Sequence, residues 1–255
     1  MAGSRGSSAR GEPSLNVPHT DDERLEDKVR HEREAAAWGE QSRSEPRWPA
    51  SLAVAAAIAL YIALPDRLIE GLGPRWLVPT LEGALGAALL IASPKRISRE
   101  SVRLRSAAIA LIALINLANL VSLAELVNDL LGGLPSRASG RQLVIASAPI
   151  WVTNVLVFAL WFWELDRGGP AARLQPRHRR PDFLFPQMTT PESCGPEWSP
   201  NFLDYLYTSF TNATAFSPTD TMPLTGWAKV LMMVESLASL LTVALVFSRA
   251  VNILA

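Results

Sequence analysis

Cysteine, histidine and lysine are scarce in this 255-residue sequence, and their scarcity argues against several kinds of site. One cysteine, Cys194, leaves no intrachain disulfide framework and no metal cluster built from several cysteines. The three histidines, His19, His31 and His178, have no metal-ligand spacing. The common hydrolase, zinc-protease, phosphate-loop and dinucleotide motifs are missing as well. We therefore expect no metal, no cofactor and no enzymatic activity.

A strong excess of charge of one sign is also missing. The formal net charge is +0, and the basic residues are dispersed between apolar runs, so no nucleic-acid partner is expected. Arginine outnumbers lysine by 21 to 3, which is typical of a bacterium with GC-rich codons. No apolar run follows directly after the first methionine, so we expect no cleavable signal peptide.

Long apolar runs are the dominant feature of the chain, 49% of which is hydrophobic. At about 1.5 Å per residue the five runs measure about 25 to 42 Å, against a hydrocarbon core of about 30 Å. Tryptophans lie at several of their ends, where indole rings favour the membrane interface. The pattern predicts an all-α membrane protein with about five transmembrane helices and the lipid bilayer as a partner. The runs are Trp48–Leu64, Trp76–Ala92, Ser106–Leu131, Leu143–Trp163 and Trp227–Leu254.

The runs divide the chain into four regions. Residues 1–47 form a polar, partly disordered tail, and residues 48–165 a region of four transmembrane helices. Residues 166–199 form a long basic, proline-rich connection, and residues 200–255 hold a polar segment and the last transmembrane helix. A capping box at Thr20–Glu23 predicts a charged helix within the tail. That helix is either a docking element for a partner or a solvated extension.

Arginine and lysine residues give the expected orientation. The connections after the second and fourth runs carry five basic residues each, whereas the other two connections carry two each. The positive-inside rule therefore puts the N-terminus and the 166–199 connection in the cytoplasm. We expect a multi-pass protein of the bacterial inner membrane.

The stretch SFTNATAFSPTDTMPLT, Ser209–Thr225, precedes the last apolar run. With its flanks it resembles the pore module of tetrameric potassium channels over Asp204–Leu254. DYLYTSFTNAT takes the place of the pore helix, TAFSPTD that of the filter and TMPLT that of the following turn. The resemblance implies a re-entrant half-helix and loop, with Leu143–Trp163 as the outer helix. The chain also resembles a group of uncharacterised bacterial integral membrane proteins that carry WELDRGGP after the outer helix.

The filter of the resembled family is degenerate in this sequence. Potassium filters need glycines for their unusual backbone angles, and none lies between Thr214 and Asp220 here. Pro218 fixes its own φ, and one extra residue precedes Asp220. Potassium selectivity is therefore not expected. The hydroxyl and amide side chains predict either a hydrated constriction or a loop plugged by its own side chains. Candidate pore or constriction residues are Thr211, Asn212, Thr214, Phe216, Ser217, Pro218, Thr219, Asp220 and Glu235.

Polar residues inside apolar helices are further candidates, because they are costly at bilayer depth. Glu235 either attracts ions or locks the loop carrying Thr219 and Asp220 to the last helix. Further intramembrane polar candidates are Glu82, Asn116, Asn119 and Asn154. Asn116 and Asn119 share a helix face, and Asn154 is a possible partner across the bundle.

Two functions remain open at this point. The first is an oligomeric ion or small-solute channel, a tetramer by the resemblance, that is not potassium-selective. The second is a non-conducting scaffold or interaction protein that reuses the pore-loop fold. The arginine count implies an inverted loop that enters from the cytoplasm, as in ionotropic glutamate receptors. The WELDRGG segment predicts the end of a helix at Gly168 and Gly169, with a local ion pair.

Overall fold

A computed structural model describes the chain as an almost entirely helical bundle. The described residues are 25, 28, 45–69, 72–92, 102–131, 140–174, 180–190, 192, 198–214 and 220–254. Single helical turns lie at Asp66–Leu68, Asp166–Gly168, Pro170–Arg173 and Pro186–Thr189. Two short strands, β1 (Phe183–Leu184) and β2 (Met222–Pro223), pair antiparallel. The longer helices are α1 (Trp48–Ile62), α2 (Leu77–Ala92), α3 (Val102–Leu131), α4 (Gly140–Leu165), α5 (Phe202–Thr214) and α6 (Gly226–Leu254).

Helices α1 to α4 alternate in direction. The start of α1 meets the end of α4, because Trp163 donates a hydrogen bond to Glu45. The start of α3 lies there too, since Arg105 pairs with Glu164 at 3.5 Å. We call this end of the bundle the Glu164 end. At the opposite end Arg75, just before α2, donates to the backbone oxygen of Ile62 at the end of α1.

Among the described residues, three helical segments are long and apolar enough to cross a membrane: Arg103–Asp129, Ile145–Gly168 and Gly226–Leu245. Helices α1 and α2 are apolar but shorter, with 15 and 16 residues. At about 1.5 Å per residue they measure about 22 to 24 Å, less than a core of about 30 Å. The prediction of a helical membrane protein is confirmed. Of the five expected spans, these three meet the length that a crossing requires.

Small residues bring the first helix close to the centre of the bundle. Ala50, Ala53 and Ala57 lie on one face of α1 and are buried in the apolar cluster at the Glu164 end. Alanine on such a face lets helix backbones approach closely. The same cluster contains Phe158 of α4, Tyr205 of α5 and other residues of α3, α5 and α6. Helix α4 is therefore the central helix, and 61% of its spanning window is buried.

The tail and several loop segments lie outside the described residues. They include the predicted capping box at residues 20–23 and the filter-like residues 215–219. The 166–199 connection is more structured than its composition predicts, because it holds β1 and three helical turns. Its buried residues Phe183, Phe185 and Met188 join the main apolar cluster.

Candidate functional site

Helix α5 lies between α4 and α6 and runs inward from the Glu164 end. Near its start, Tyr205 bonds to Asp166 just beyond α4. Further along, Ser209 donates to the backbone oxygen of Val155 in α4 over 2.7 Å. At its far end, the backbone oxygen of Ala213 accepts from Ser239 of α6 over 2.5 Å. The helix is therefore antiparallel to α4 and parallel to the first half of α6.

Glu235 is the centre of a buried hydrogen-bond network between these helices. It is fully buried in α6, and its two carboxyl oxygens lie within hydrogen-bonding distance of Ser209 and of Asn212 of α5. The Asn212 amide nitrogen lies 2.6 Å from Glu235 Oε2 and 2.9 Å from the backbone oxygen of Met232. From α4, the Asn154 amide donates to the backbone oxygen of Glu235. The Glu235 carboxyl group thus links α6 to α5, and the Glu235 backbone oxygen links α6 to α4.

Ser209 has two acceptors within reach but only one proton. Its hydroxyl lies within hydrogen-bonding distance of the Val155 backbone oxygen and of the Glu235 carboxyl group. Both contacts are hydrogen bonds only if Glu235 carries the second proton as a carboxylic acid, which then donates to Ser209. A neutral carboxyl group is also the form that a site without a nearby cation favours.

Hydroxyl groups cap the inner end of α5. The last carbonyls of a helix have no partner within the helix, and such an end is stable inside an apolar bundle only when other groups donate to it. Thr214 donates to Thr211 O, Ser236 to Asn212 O and Ser239 to Ala213 O. The Ser239 hydroxyl also accepts from the Trp151 indole of α4 over 2.6 Å. The inner end of α5 is thereby fixed to both neighbouring helices.

The chain after α5 returns to the Glu164 end. Thr221 lies at the level of Thr208, since their hydroxyl oxygens are 3.2 Å apart. Directly after Thr221, β2 pairs with β1, and Leu224 donates to the backbone oxygen of Asp182 over 2.8 Å. Trp227 at the start of α6 donates to the Asp182 carboxylate over 3.0 Å. The segment between the loop and α6 is therefore tied to the 166–199 connection.

Asp166 organises the Glu164 end of the bundle. It is fully buried, accepts from the Tyr205 hydroxyl over 2.6 Å and from the Asp182 amide over 2.8 Å, and pairs with Arg167 at 3.5 Å. Burial raises the pKa of the Tyr205 hydroxyl well above its ordinary value, and the Asp166 carboxylate adds to the rise. Tyr205 therefore stays protonated and remains a donor to Asp166.

Arg173 and Glu45 join the tail, α4 and α5 at this end. The Arg173 guanidinium is buried between the Trp163 and Tyr205 rings and donates to the backbone oxygens of Trp163 and Asp166. It also lies 3.7 Å from Glu45. The Glu45 carboxylate in turn accepts from the Phe202 amide at the start of α5, where an acidic group favours the helix dipole. The last residues of the tail thus cap the inserted helix.

Backbone geometry explains the glycines of WELDRGGP. Arg167, Gly168 and Gly169 all have positive φ angles, of 55°, 90° and 100°. A Cβ atom on Gly169 would lie 2.8 Å from the backbone oxygen of Glu164, which is too close. Arg167 tolerates its angle because its amide donates to the Asp182 carboxylate over 2.9 Å. The turn folds the connection back over the end of α4, and the predicted helix end with an ion pair is found there.

The structure brings together only part of the predicted site. Asn212 and Glu235 meet in the network, whereas Thr211 and Thr214 bond to carbonyls of their own helix. Asp220 is exposed, and the described partners of the Glu235 carboxyl group are Ser209 and Asn212. That Glu235 locks the loop carrying Thr219 and Asp220 stays a prediction. Phe216, Ser217, Pro218 and Thr219 lie outside the described residues.

The intramembrane candidates separate into two groups. Asn154 donates to the backbone of Glu235, so its predicted pairing with Asn116 or Asn119 across the bundle is not found in the described part of the chain. Glu82, Asn116 and Asn119 lie on α2 and α3, and no hydrogen bond described in the structure joins them to the Glu235 network.

Several contributing residues were not predicted. Ser236 and Ser239 lie four and seven residues from Met232 on the α5-facing side of α6, and helical spacing from Glu235 indicates Ser239. Tyr205, Asp182, Arg173 and Glu45 are far apart in the sequence, and only the fold brings them together.

Known proteins add no further information. No family model, no curated protein and no solved structure matches this chain.

Proposed function

We propose that the protein is a homo-oligomeric membrane protein in which α4, α5 and α6 form a channel-like pore-loop module. In this proposal all five long apolar helices cross the bacterial inner membrane, with the N-terminus in the cytoplasm. Helix α5 is the re-entrant half-helix, after which the chain returns to the Glu164 end at Thr221. The single observation that supports the module best is the contact between the inner end of α5 and Ser239.

The depth of that contact argues for a re-entrant helix. Ser239 is thirteen residues beyond Gly226, which is about 20 Å along α6 at 1.5 Å per residue. A hydrocarbon core is about 30 Å thick, so α5 ends deep inside it if α6 crosses the membrane. The capped carbonyls at this end meet the requirement that backbone groups at such depth be satisfied by protein.

Conduction of cations or small polar solutes is the activity that this arrangement favours. The C-terminal end of a helix dipole is negative, and that of α5 points into the bundle toward the returning loop. A cation just beyond the inner end of α5 would therefore be favoured. The absence of glycine between Thr214 and Asp220 argues against potassium selectivity. The exposed Asp220 carboxylate would lie at the entrance of the pore on the Glu164 side of the bundle.

A non-conducting scaffold is the second candidate, and the Glu235 network favours it. Ser209, Asn212, Ser236 and Ser239 all bond within the chain, so these groups do not face a pore. The function of the module would then be assembly. The apolar exposed face of α6, which includes Met233 and Leu237, would be the contact between subunits in either case.

Reconstitution separates the two candidates. The purified full-length protein is placed in liposomes, and cation flux is measured for the natural chain and for Asp220→Asn. A channel gives flux above empty liposomes, and the substitution reduces it because a charge at the mouth is lost. Oligomers without any flux would support the scaffold and contradict conduction.

Assembly is tested with two matched tryptophan substitutions. Leu237 on α6 and Leu52 on α1 are equally exposed, at 60% and 61%. Leu237→Trp is expected to shift the protein toward monomer in native mass spectrometry, whereas Leu52→Trp leaves the oligomer intact. A natural chain that is monomeric in mild detergent and in lipid nanodiscs would contradict the proposal.

A further inference from the structure

A cavity lies between α1, α2, α3 and α4 at the Glu164 end, apart from α5 and α6. Its volume is about 110 Å³, and it is partly open to the surroundings. Its charged lining residues are Arg47 and Glu164, and we call the part beside them the polar end of the cavity. Val54 lies seven residues beyond Arg47 on α1, about 10 Å further in. The deeper walls are apolar and include Gly86, Leu111, Ile112 and Leu160.

The polar end carries one surplus positive charge. Arg47 and Glu164 line it, and Arg105 of α3 lies beside it because it pairs with Glu164 at 3.5 Å. The Arg105 side chain is 35% exposed, so its guanidinium group is accessible to a further partner. Two guanidinium groups thus stand against one carboxylate. Guanidinium groups bind phosphate with two hydrogen bonds at a time, so this end favours a phosphate.

The other charges close to the cavity do not cancel this surplus. Arg173 lies 3.7 Å from Glu45, and Arg167 lies 3.5 Å from Asp166, so each of these charges has an opposite partner. Two further acids accept hydrogen bonds from groups at the starts of α6 and α5, outside the cavity lining: Asp182 and Asp204. The surplus therefore belongs to Arg47 and Arg105.

The start of α1 adds backbone donors to the polar end. No described side chain caps this helix, and its first turn contains no acid. Glu45, the nearest acid before it, accepts instead from the Trp163 indole and from the Phe202 amide of α5. Free amide groups and the helix dipole favour an anion at such a helix start. An anion in the cavity would therefore interact with these amides and with both arginines.

We propose that the cavity binds one anionic membrane phospholipid. Its phosphate interacts with Arg47, Arg105 and the start of α1, and the first carbons of one acyl chain lie against the apolar walls. Glu164 is four residues from the end of the spanning segment Ile145–Gly168, so the polar end lies at the level of the lipid headgroups. Basic pockets between transmembrane helices bind anionic headgroups in this way.

The size of the cavity and its apolar walls favour a lipid over a free phosphate ion. A cavity of about 150 Å³ holds a benzene ring, so one of 110 Å³ takes only a few chain carbons. Because the cavity is partly open, the rest of the chain can stay in the bilayer. A free phosphate would use the arginines and leave the apolar walls without contact. The site requires that α4 crosses the membrane and does not depend on the pore-loop proposal.

Native mass spectrometry of the full-length protein in a neutral detergent tests the headgroup site. Protein freed of lipid is titrated with phosphatidylglycerol, with phosphatidylcholine and with inorganic phosphate. We expect one phosphatidylglycerol to bind more tightly than phosphatidylcholine. Arg47→Gln and Arg105→Gln should each weaken its binding about fivefold, which is the contribution of one basic residue near an anionic lipid. Arg103→Gln, at an exposed position of the same helix, is the control and should leave the affinity unchanged.

A second pair of variants tests the apolar part of the cavity. Ala108 lines it, so Ala108→Leu places three more carbon atoms in the space for the acyl chain. We expect this variant to bind phosphatidylglycerol less tightly, with an unfolding midpoint in lipid-free detergent no lower than that of the natural chain. Ala110→Leu changes an exposed position of the same helix and should bind the lipid as the natural chain does.

Three results would overturn the proposal. Equal affinity of the natural chain for the two phospholipids would mean that the headgroup charge is not recognised. An equal loss in Arg103→Gln and Arg47→Gln would indicate general attraction to a basic surface. Binding of inorganic phosphate that competes with the lipid, together with unchanged lipid affinity in Ala108→Leu, would indicate a site for a free anion.

Discussion

Glu235 is stable inside the bundle because its carboxyl group is matched to two side chains of α5. Asn212 donates to one oxygen, and the other meets the Ser209 hydroxyl, whose own proton is directed at Val155 O. The group next to Ser209 must therefore be a donor. Glutamine can meet both requirements, since its oxygen accepts from Asn212 and its amide donates to Ser209.

We therefore predict that Glu235→Gln is tolerated and that Glu235→Leu is not. Glutamine should change the free energy of unfolding by less than about 0.6 kcal/mol, and leucine should lower it by about 1–2 kcal/mol, as hydrogen bonds between membrane helices are lost. Unfolding in mixed micelles measures both. Equal losses for the two variants would mean that Glu235 is ionised and interacts mainly through its charge.

The backbone geometry at Gly169 predicts that a side chain there is destabilising. Gly169→Ala places a side chain at φ 100° and 2.8 Å from Glu164 O, so we expect a loss of about 1–3 kcal/mol in the free energy of unfolding. Gly83→Ala is the matched control, because nothing lies within 4 Å of its Cβ position in α2. That variant should be unchanged or up to about 1 kcal/mol more stable. Equal effects would show that crowding at Gly169 is unimportant.

The burial of Tyr205 predicts that the stability of the protein falls at alkaline pH. Its pKa is raised by burial, so the folded protein keeps a proton that the unfolded chain releases at alkaline pH. The contribution of Tyr205 to the free energy of unfolding is fully present below the ordinary tyrosine pKa, and it is lost as the pH rises above that value.

The measurement is the unfolding midpoint at neutral and at alkaline pH. Tyr205→Phe should lower the unfolding midpoint at neutral pH, because the hydrogen bond to Asp166 is lost. The midpoint of this variant should then fall less steeply than that of the natural chain as the pH rises. Tyr207→Phe, at an exposed position of the same helix, should behave as the natural chain does. A slope unchanged by Tyr205→Phe would contradict the buried, protonated phenol.

Helix α5 is held at its two ends by different parts of the chain. Hydroxyl groups of α6 bond to its inner carbonyls, and Glu45 accepts from the Phe202 amide at its start. A capping box also forms there, since the Asp204 carboxylate accepts from the Asn201 amide and Asn201 from the Leu203 amide. A helix of 13 residues would be marginal alone, so these contacts determine its stability.

We predict that Glu45→Ala loosens the start of α5. Hydrogen exchange at Phe202–Leu206 should become about tenfold faster, since a hydrogen bond to a charged group contributes about 1.5 kcal/mol. Asp66→Asn, which removes an acid at the opposite end of the bundle, is the control and should leave this exchange unchanged. Unchanged exchange in Glu45→Ala would mean that the capping box alone holds the helix.

The helices were largely predictable, because hydrophobic runs of this length leave few alternatives. The half-helix α5 was predicted from Asp204 by resemblance, and it begins at Phe202. Glu235, Asn212 and Asn154 of the network were predicted as candidates. Asp166, Arg173 and Glu45 were not connected to it, because such contacts depend on tertiary folding and not on any spacing in the sequence.

The two chain segments at the Glu164 end determine the topology of the whole molecule. Glu45 contacts Trp163 and Phe202, so the tail and the connection after α4 lie on the same side. The basic residues of that connection predict that this side is cytoplasmic. Cys194 belongs to the connection, although it lies outside the described residues.

We expect a membrane-impermeant thiol reagent to label Cys194 only after the cells are opened. Cys194→Ser combined with Asp66→Cys moves the single thiol to the exposed opposite end, where labelling of intact cells is expected. The reverse pattern would place the tail outside and make the arginine-based orientation wrong.

Ser239 also limits how α6 can move. Its hydroxyl joins Trp151 of α4 to Ala213 of α5, while Glu235 joins the same helices one turn earlier. Hydrogen bonds thus hold the first half of α6 to α4 and α5. Rotation or sliding of this half would break the bonds of Glu235 and of Ser239 together. The half that follows Ser239 has no such hydrogen bonds among the described contacts, so bending is easiest there. Any motion that changes the width of an assembly built on α6 would be greatest toward the end opposite the inserted helix.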